Sequence, residues 1–262
     1  MVFNKLKEKI LENSKSYQFY KNFYIANKDS KNKVDEIATL LENKKYTREI
    51  LYSINFNDTI RESEWLIKKN FSLNKSSSSY SFLYVLFRIL DEINPKNILE
   101  LGLGQSSKIT SQYANFFDSN LLIIESDKEW IVNFSKNLLL SNNSKILEVP
   151  TEYFEFNSSN NLRYKDFSNE ISDKKFDLII IDGPYGYNQE YPRSNVWNLV
   201  NNIDKEFIII VDDYERVGEQ NTVNELFKIF NENNINYKTV EFEGIKKQLV
   251  IYSPKYKFVS WY

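Results

Sequence analysis

Neither cysteine nor histidine occurs among the 262 residues, and methionine occurs once. Without cysteine there is no disulfide and no thiolate nucleophile, and without either residue there is no Cys/His zinc centre. Without histidine no imidazole can serve as general base. Proton transfer falls to Asp, Glu, Lys or Tyr. A metal would have to take oxygen ligands, which selects Mg, Mn or Ca. Charge of one sign is also lacking, since 34 Lys and Arg stand against 36 Asp and Glu. That balance speaks against nucleic acid as a partner, because such a face needs clustered cations. No run approaches the ~18 apolar residues of a membrane span, so none is expected. The first twenty residues scatter charge through every apolar stretch and read as a helix, not a signal peptide. A cytoplasmic chain is the expectation.

What is present has a clear order. Residues 1–75 contain amphipathic runs, VFNKLKEKILENSKSYQFYKNFYI, KVDEIATLLENKK and TIRESEWLIKK, at helical spacing. They are expected to form a helical N-terminal cap. The Ser-rich stretch 72–80 breaks the pattern and leads into a main domain over 76–262. There SYSFLYVLFRILDEI (79–93) reads as a helix stopped by Pro95. Strands are expected at 97–101, 120–126, 144–150, 176–182 and 206–213. Helices are expected at 105–117, 128–141, 193–203 and 218–234. Two last strands, 236–243 and 246–253, are separated by Gly244 and Ile245, which favours an antiparallel hairpin. Continuous apolar strands alternating with helices mean a mostly parallel sheet covered on both faces. The fold class is therefore α/β, Rossmann-like, with seven strands closed by an antiparallel hairpin.

The chain has only six glycines. Gly102, Gly104, Gly183, Gly186 and Gly218 fall near the carboxyl ends of expected strands, the edge where open α/β sheets bind ligands. The first of these loops reads Glu100-Leu-Gly102-Leu-Gly104-Gln105-Ser106-Ser107. It resembles motif I of S-adenosylmethionine (SAM) methyltransferases, which turns sharply from strand to helix and leaves amides open to the cofactor. Glu100, Gly102, Gly104 and Ser106 are the cofactor-binding candidates there, with Glu100 expected near the cofactor's amino end. Glu125, at the end of the second strand, is placed to accept from ribose hydroxyls. Asp127 is expected to cap the following helix. Glu152 is a candidate for the adenine side. The fourth strand ends Asp182-Gly183-Pro184-Tyr185-Gly186-Tyr187, and the fifth ends Asp212-Asp213-Tyr214-Glu215-Arg216. Convergent carboxylates there suggest a divalent cation on Asp182, Asp212 and Asp213, a bound cationic group, or a raised pKa.

The order of motif I, acidic second strand, IDGP and an Asp-bearing fifth strand resembles class I SAM methyltransferases over residues 95–253. DGPYGYNQEYPRS followed by VDDYERVGE is similar to the glucuronoxylan 4-O-methyltransferase family and related polysaccharide-biosynthesis proteins. That family carries Asp-Ala/Gly-Pro-x-Gly-Tyr, Pro-Gly-Arg-Met and His-Asp-x-x-Arg-x-x-Glu segments. The resemblance falls on Asp182, Arg193, Asp213, Arg216 and Glu219. This chain departs from it at two places: Asp212 stands where the family has His, and Pro192-Arg193 is one residue shorter. The resemblance implies SAM as cofactor and a sugar, uronic acid or nucleotide sugar as small-molecule acceptor. Asp182 or Asp213 would take the hydroxyl proton, directly or through Mg or Mn. Arg193 or Arg216 would grip a substrate carboxylate. A second reading keeps the fold but changes the chemistry, with ATP-Mg or a nucleotide sugar in the pocket and a uronate activated for amide formation.

Overall fold

Strands that are apolar on both faces can be buried only between two layers, and the computed structural model of the chain places them so. It describes residues 15–73 and 77–262. The beginning of the first amphipathic run and the middle of the Ser-rich stretch lie outside the described residues.

Five strands run parallel at the centre: β1 (Asn97–Leu101), β2 (Asn120–Glu125), β3 (Ser144–Glu148), β6 (Phe176–Ile181) and β7 (Ile203–Val211). The last two strands, β8 (Lys238–Glu243) and β9 (Lys247–Tyr252), pair antiparallel, and β9 pairs antiparallel with β7. The sheet order is β3-β2-β1-β6-β7-β9-β8. Alternate residues serve opposite cores. Ile98, Ile123, Leu178, Ile180, Ile208, Ile210 and Val250 face one layer. Leu99, Leu101, Ile124, Ile179, Ile181, Ile209, Leu249 and Ile251 face the other.

The first layer is α2 (Tyr80–Ile93) and α3 (Gln105–Phe117), joined by the carboxyl-terminal part of α1 (Lys15–Thr59). Ser79 caps α2, its side chain accepting from the Phe82 amide. The segment Thr59–Lys69 is not the helix that its spacing suggests. After Thr59 the chain turns, and Trp65 and Leu66 are buried, with Trp65 stacked on Phe87 at 4.8 Å. Tertiary packing outweighs helical spacing here. The division between compact units falls at Tyr46/Thr47, not near residue 75, because Phe56, Ile60, Trp65 and Leu66 belong to the core of the sheet domain.

The second layer contains α5 (Phe167–Glu170), a 3-10 helix at Ser194–Asn201 and α6 (Val217–Glu232). Helix α4 (Lys128–Phe134), capped by Asp127 as expected, is shorter than the 128–141 pattern suggests. The region 151–164, which carries no assigned element in the sequence reading, is an antiparallel hairpin, β4 (Thr151–Phe156) with β5 (Ser159–Tyr164). Its two-residue turn, Asn157-Ser158, has positive φ at both positions, the geometry of a type I′ hairpin.

The sheet reverses its winding between β1 and β6, which is where ligands enter such folds. At that point Gly102 has φ +98°, and a Cβ on it would lie 3.0 Å from the Asp182 carbonyl carbon and the Gly183 nitrogen. The two loops touch through backbone, so glycine is needed at Gly102 on both counts.

Glu100 belongs to this scaffold and not to the cofactor face. It is fully buried. Its carboxylate accepts from Ser106 Oγ (2.6 Å), Ser107 Oγ (2.8 Å) and Thr110 Oγ1 (2.6 Å), tying the first turns of α3 to β1. Ser106 is spent on the same bond and is also buried. The expected cofactor contacts of Glu100 and Ser106 are thus replaced by contacts with each other.

Two predictions follow from this scaffold. Gly102→Ala is expected to lower stability by about 1–3 kcal/mol through positive-φ strain and the close loop contact, read as a reduced urea midpoint. Burial pushes Glu100 up to about 7 against the three hydroxyl bonds that favour its ionised form. An acid raised in the native state holds its proton there while the unfolded chain has lost it. Its stabilising contribution is full below pH ~4.3 and is lost as pH rises through ~7. Glu100→Gln is expected to make stability less pH-dependent across that window by up to about one proton's worth of slope, measured by urea titrations from pH 4.5 to 8.

Candidate active site at the carboxyl edge of the sheet

A cleft of about 960 Å³ opens over the switch point. One end is lined by Gly102, Leu103, Gly104, Gln105, Glu125 and Trp130, and the other by Asp182, Arg193, Asp213, Arg216 and Lys246. Tyr185 and Tyr187 stand at its margin, both strongly exposed.

At the glycine end, the Gly104 amide donates to Ser107 Oγ (3.0 Å). A Cβ added at Gly104 would meet nothing within 4 Å. The chain thus leaves open space where a ligand can approach the backbone. Glu125 Oε2 accepts from the Leu103 amide (3.0 Å), and Oε1 from the Ser126 (2.6 Å) and Asp127 (3.0 Å) amides. These bonds fix the carboxylate at the strand end and leave lone pairs for hydroxyl donors. Trp130 donates from Nε1 to the Leu103 carbonyl at 2.7 Å, which holds its half-exposed ring beside the same loop. Sequence reasoning passes over Trp130 because on a helix it reads as packing.

Glu152 is not at this cleft. It lies on β4, and its carboxylate takes Arg163 Nε at 2.9 Å. The β4–β5 hairpin carries it away from the adenine side proposed for it.

At the other end, Arg193 is almost completely buried. Its guanidinium donates to the Asp212 carbonyl (2.9 Å), Asp182 Oδ1 (3.2 Å) and Asp213 Oδ2 (2.9 Å). Arg216, one-third exposed, pairs with Asp213 Oδ2 at 2.9 Å and Glu219 Oε1 at 3.5 Å. Lys246 Nζ lies 3.3 Å from Asp212 Oδ2 and 3.0 Å from Asp213 Oδ1. Asp212 is fully buried, and its Oδ1 takes Gln248 Nε2 at 2.8 Å. It stands behind the cleft wall and does not line it. Asp182, Asp212 and Asp213 do converge, with one oxygen of each within 4.8 Å of the others.

The electrostatics separate these carboxylates. Burial and the neighbouring Asp212 push Asp182 up to about 7, against Arg193 and Lys246. Burial also raises Asp213, but Arg193 and Lys246 outweigh it and hold this carboxyl below its usual range. Burial lifts Glu219 to about 7. Burial alone would depress Lys246, yet Asp212, Asp182 and Asp213 keep it above its ordinary value, so it is a fixed cation.

Lys246 and Gln248 are missing from the sequence reading. The expected strand 246–253 makes Lys246 its first residue. In the structure β8 and β9 are joined by three residues, Gly244, Ile245 and Lys246, closed by the Gly244 amide on the Lys246 carbonyl at 2.9 Å. The turn swings Lys246 into the cleft. Glu49 of α1 accepts from the Ile245 amide at 3.0 Å and also from the Tyr80 amide, which anchors that turn to α2.

No family model matches the chain. In sequence it is similar to glucuronoxylan 4-O-methyltransferase 3 of Arabidopsis thaliana, 28% identical over 123 residues, 40% of this chain. The match spans 41% of that protein's length. Among solved structures it is similar to precorrin-6y C5,15-methyltransferase of Geobacter metallireducens, with 12% identity and a TM-score of 0.46 over 70% of this chain and 93% of that one. It is also similar to N-methyltransferase NodS of Bradyrhizobium japonicum bound to S-adenosyl-L-homocysteine, with 12% identity and a TM-score of 0.42 over 76% and 99%. Five parallel strands in this order, a glycine loop at their switch point and a closing antiparallel hairpin give this chain a mixed α/β fold of the class I methyltransferase type.

Proposed function

We propose that the chain transfers a methyl group from SAM to a hydroxyl of a sugar, uronic acid or nucleotide sugar used in surface-polysaccharide synthesis. The observation that carries this reading is the single cleft that joins the open glycine loop to a carboxylate poised near neutral pH. Its volume suits a nucleoside-sized molecule beside a small acceptor.

Several side chains fit the cofactor half. Glu125 presents a backbone-fixed carboxylate to ribose hydroxyls, Gly104 leaves room over the backbone, and the Trp130 ring offers a flat apolar face. SAM supplies an electrophilic methyl on sulfur. Asp182 is the group at the acceptor half that can take a proton, since it is partly exposed to the cleft and sits near pKa 7. The acceptor oxygen forms the new C–O bond as the C–S bond breaks. The electron pair leaves with sulfur, and the hydroxyl proton passes to Asp182. Arg193 holds Asp182 in position throughout. Positioning and exclusion of water account for the rest of the rate.

The acceptor class is supported by the partial similarity to a glucuronoxylan methyltransferase and by the cleft itself. Arg216 keeps part of its guanidinium exposed at the opening, suited to an acidic sugar, and Tyr185 and Tyr187 offer rings at the rim.

Four outcomes are expected. S-adenosylhomocysteine should raise the melting temperature of the purified chain, since it binds only the native state. Stabilisation by ATP with Mg and none by S-adenosylhomocysteine overturns the reading. Gly104→Val should leave the melting temperature of the free chain within a few degrees and weaken S-adenosylhomocysteine binding at least tenfold, read by calorimetry. Turnover should climb with pH through about 7 as Asp182 loses its proton. Asp182→Asn should cut kcat by roughly 10²–10⁴ while leaving S-adenosylhomocysteine affinity unchanged.

A further inference from the structure

Asp182, Asp212 and Asp213 have the composition of an oxygen-donor metal site, and the sequence invites that reading. Their surroundings do not fit a divalent ion. Such an ion needs carboxylate oxygens at about 2.0–2.6 Å and a shell of six or more ligands. Here the oxygens already face protein donors, most of them cations. Both oxygens of Asp212 are taken, by Lys246 Nζ and Gln248 Nε2. Asp213 Oδ2 is taken by Arg193 and Arg216, and its Oδ1 faces the Lys246 ammonium as an ion pair at 3.0 Å. Asp182 Oδ1 faces Arg193. A doubly charged ion placed among them would sit within a few ångströms of ammonium and guanidinium groups, with little solvent to screen the repulsion.

We propose that the Lys246 ammonium is the resident cation of this site, standing where related chemistry could use a divalent metal, and that the acceptor half works without one. The ammonium is compact, nearly buried and held by two carboxylates at 3.0 and 3.3 Å. It is delivered by the three-residue β8–β9 turn, which Glu49 fastens from α1. Lys246 also lines the cleft. Its fixed charge holds Asp212 and Asp213 in place and faces the region where an acceptor oxygen would gain negative charge. It is not the base, because it stays protonated. The inference deepens the transferase reading above, but the ion-binding test does not depend on turnover.

The experiment is a titration of the purified full chain with Mn²⁺, following the free-ion signal by electron paramagnetic resonance. The wild-type chain is expected to bind no Mn²⁺ at this site up to millimolar concentration. Lys246→Ala removes the ammonium, leaves space among three carboxylates and should bind one Mn²⁺ at least tenfold more tightly than wild type. Adding Asp213→Asn to that variant should abolish the gain. Lys246→Arg, which restores a cation, should bind as poorly as wild type. If Lys246→Ala does not fold, Lys246→Ser carries the same expectation, and melting curves establish which variants are native. One Mn²⁺ bound tightly by the wild type and lost on Asp212→Asn overturns the proposal. So does a folded Lys246→Ala that gains no affinity. A separate S-adenosylhomocysteine titration of the same samples tests the cofactor reading, so that failure of one leaves the other standing.

Discussion

Four carboxylates and three cationic side chains meet behind the carboxyl edge of the sheet, and the cleft exists because they neutralise one another. Asp182, Asp212, Asp213 and Glu219 face Arg193, Arg216 and Lys246. Taking such charges out of water costs several kcal/mol per ion, and mutual attraction offsets this only when the geometry is good. The contacts of Arg193 and Lys246 join separate elements, whereas Arg216 pairs locally with Asp213 and Glu219. Arg193 precedes the 3-10 helix, Asp182 follows β6, Asp213 follows β7, and Lys246 comes from the β8–β9 turn. Removing one partner would leave uncompensated buried charge, a loss of about 3–5 kcal/mol. The cluster therefore ties together the loops at the carboxyl edge of the sheet.

The β4–β5 hairpin extends that support through amide side chains. Asn161 Oδ1 accepts from the Tyr191 amide (2.7 Å), Gln189 Oε1 from Leu162 (2.7 Å), and Asn195 bonds both backbone groups of Tyr164. Tyr164 in turn reaches the Ile124 carbonyl at 3.2 Å beneath the cleft. An amide side chain can supply donor and acceptor at once, so it ties loop backbone that no strand can pair.

Most of the sheet is legible in the sequence because its strands are buried on both faces and read as predominantly apolar runs. NILEL, FDLIII and FIIIV admit no other partner than two layers of helix. The glycine loop is legible because Gly102 is needed for a conformation as well as a contact. What escapes has a common cause: the chain uses tertiary context where local pattern says something else. TEYFEF alternates only weakly and hides a hairpin. TIRESEWLIKK has helical spacing, but Trp65 finds Phe87 and the helix ends. Glu100 sits in a motif associated with ligand contact, yet three hydroxyls one and two turns along α3 claim its carboxylate. Lys246 lies in KKQLVIYS, where alternation gives no sign which lysine begins the strand. A shift of one residue there decides whether it faces solvent or the acid cluster.

The absence of histidine gives the arrangement its logic. A carboxylate with an ordinary pKa near 4 is a weak base at neutral pH, so an Asp asked to take a hydroxyl proton must be raised by its surroundings. Burial beside Asp212 does this for Asp182, while the cations are drawn mainly to Asp213 and keep that neighbour ionised. Two carboxylates of one cluster are thus shifted in opposite directions, the pattern that the proposed acid–base role of Asp182 requires. Arg193 bonds both of them. It adopts a left-handed backbone, φ 57°, to bring its guanidinium between the ends of β6 and β7. That conformation costs a non-glycine residue of order 1 kcal/mol. Its persistence here means the surrounding ion pairs over-determine it. Strain accepted in the folded state leaves less reorganisation for the reacting state, the physical content of a preorganised site.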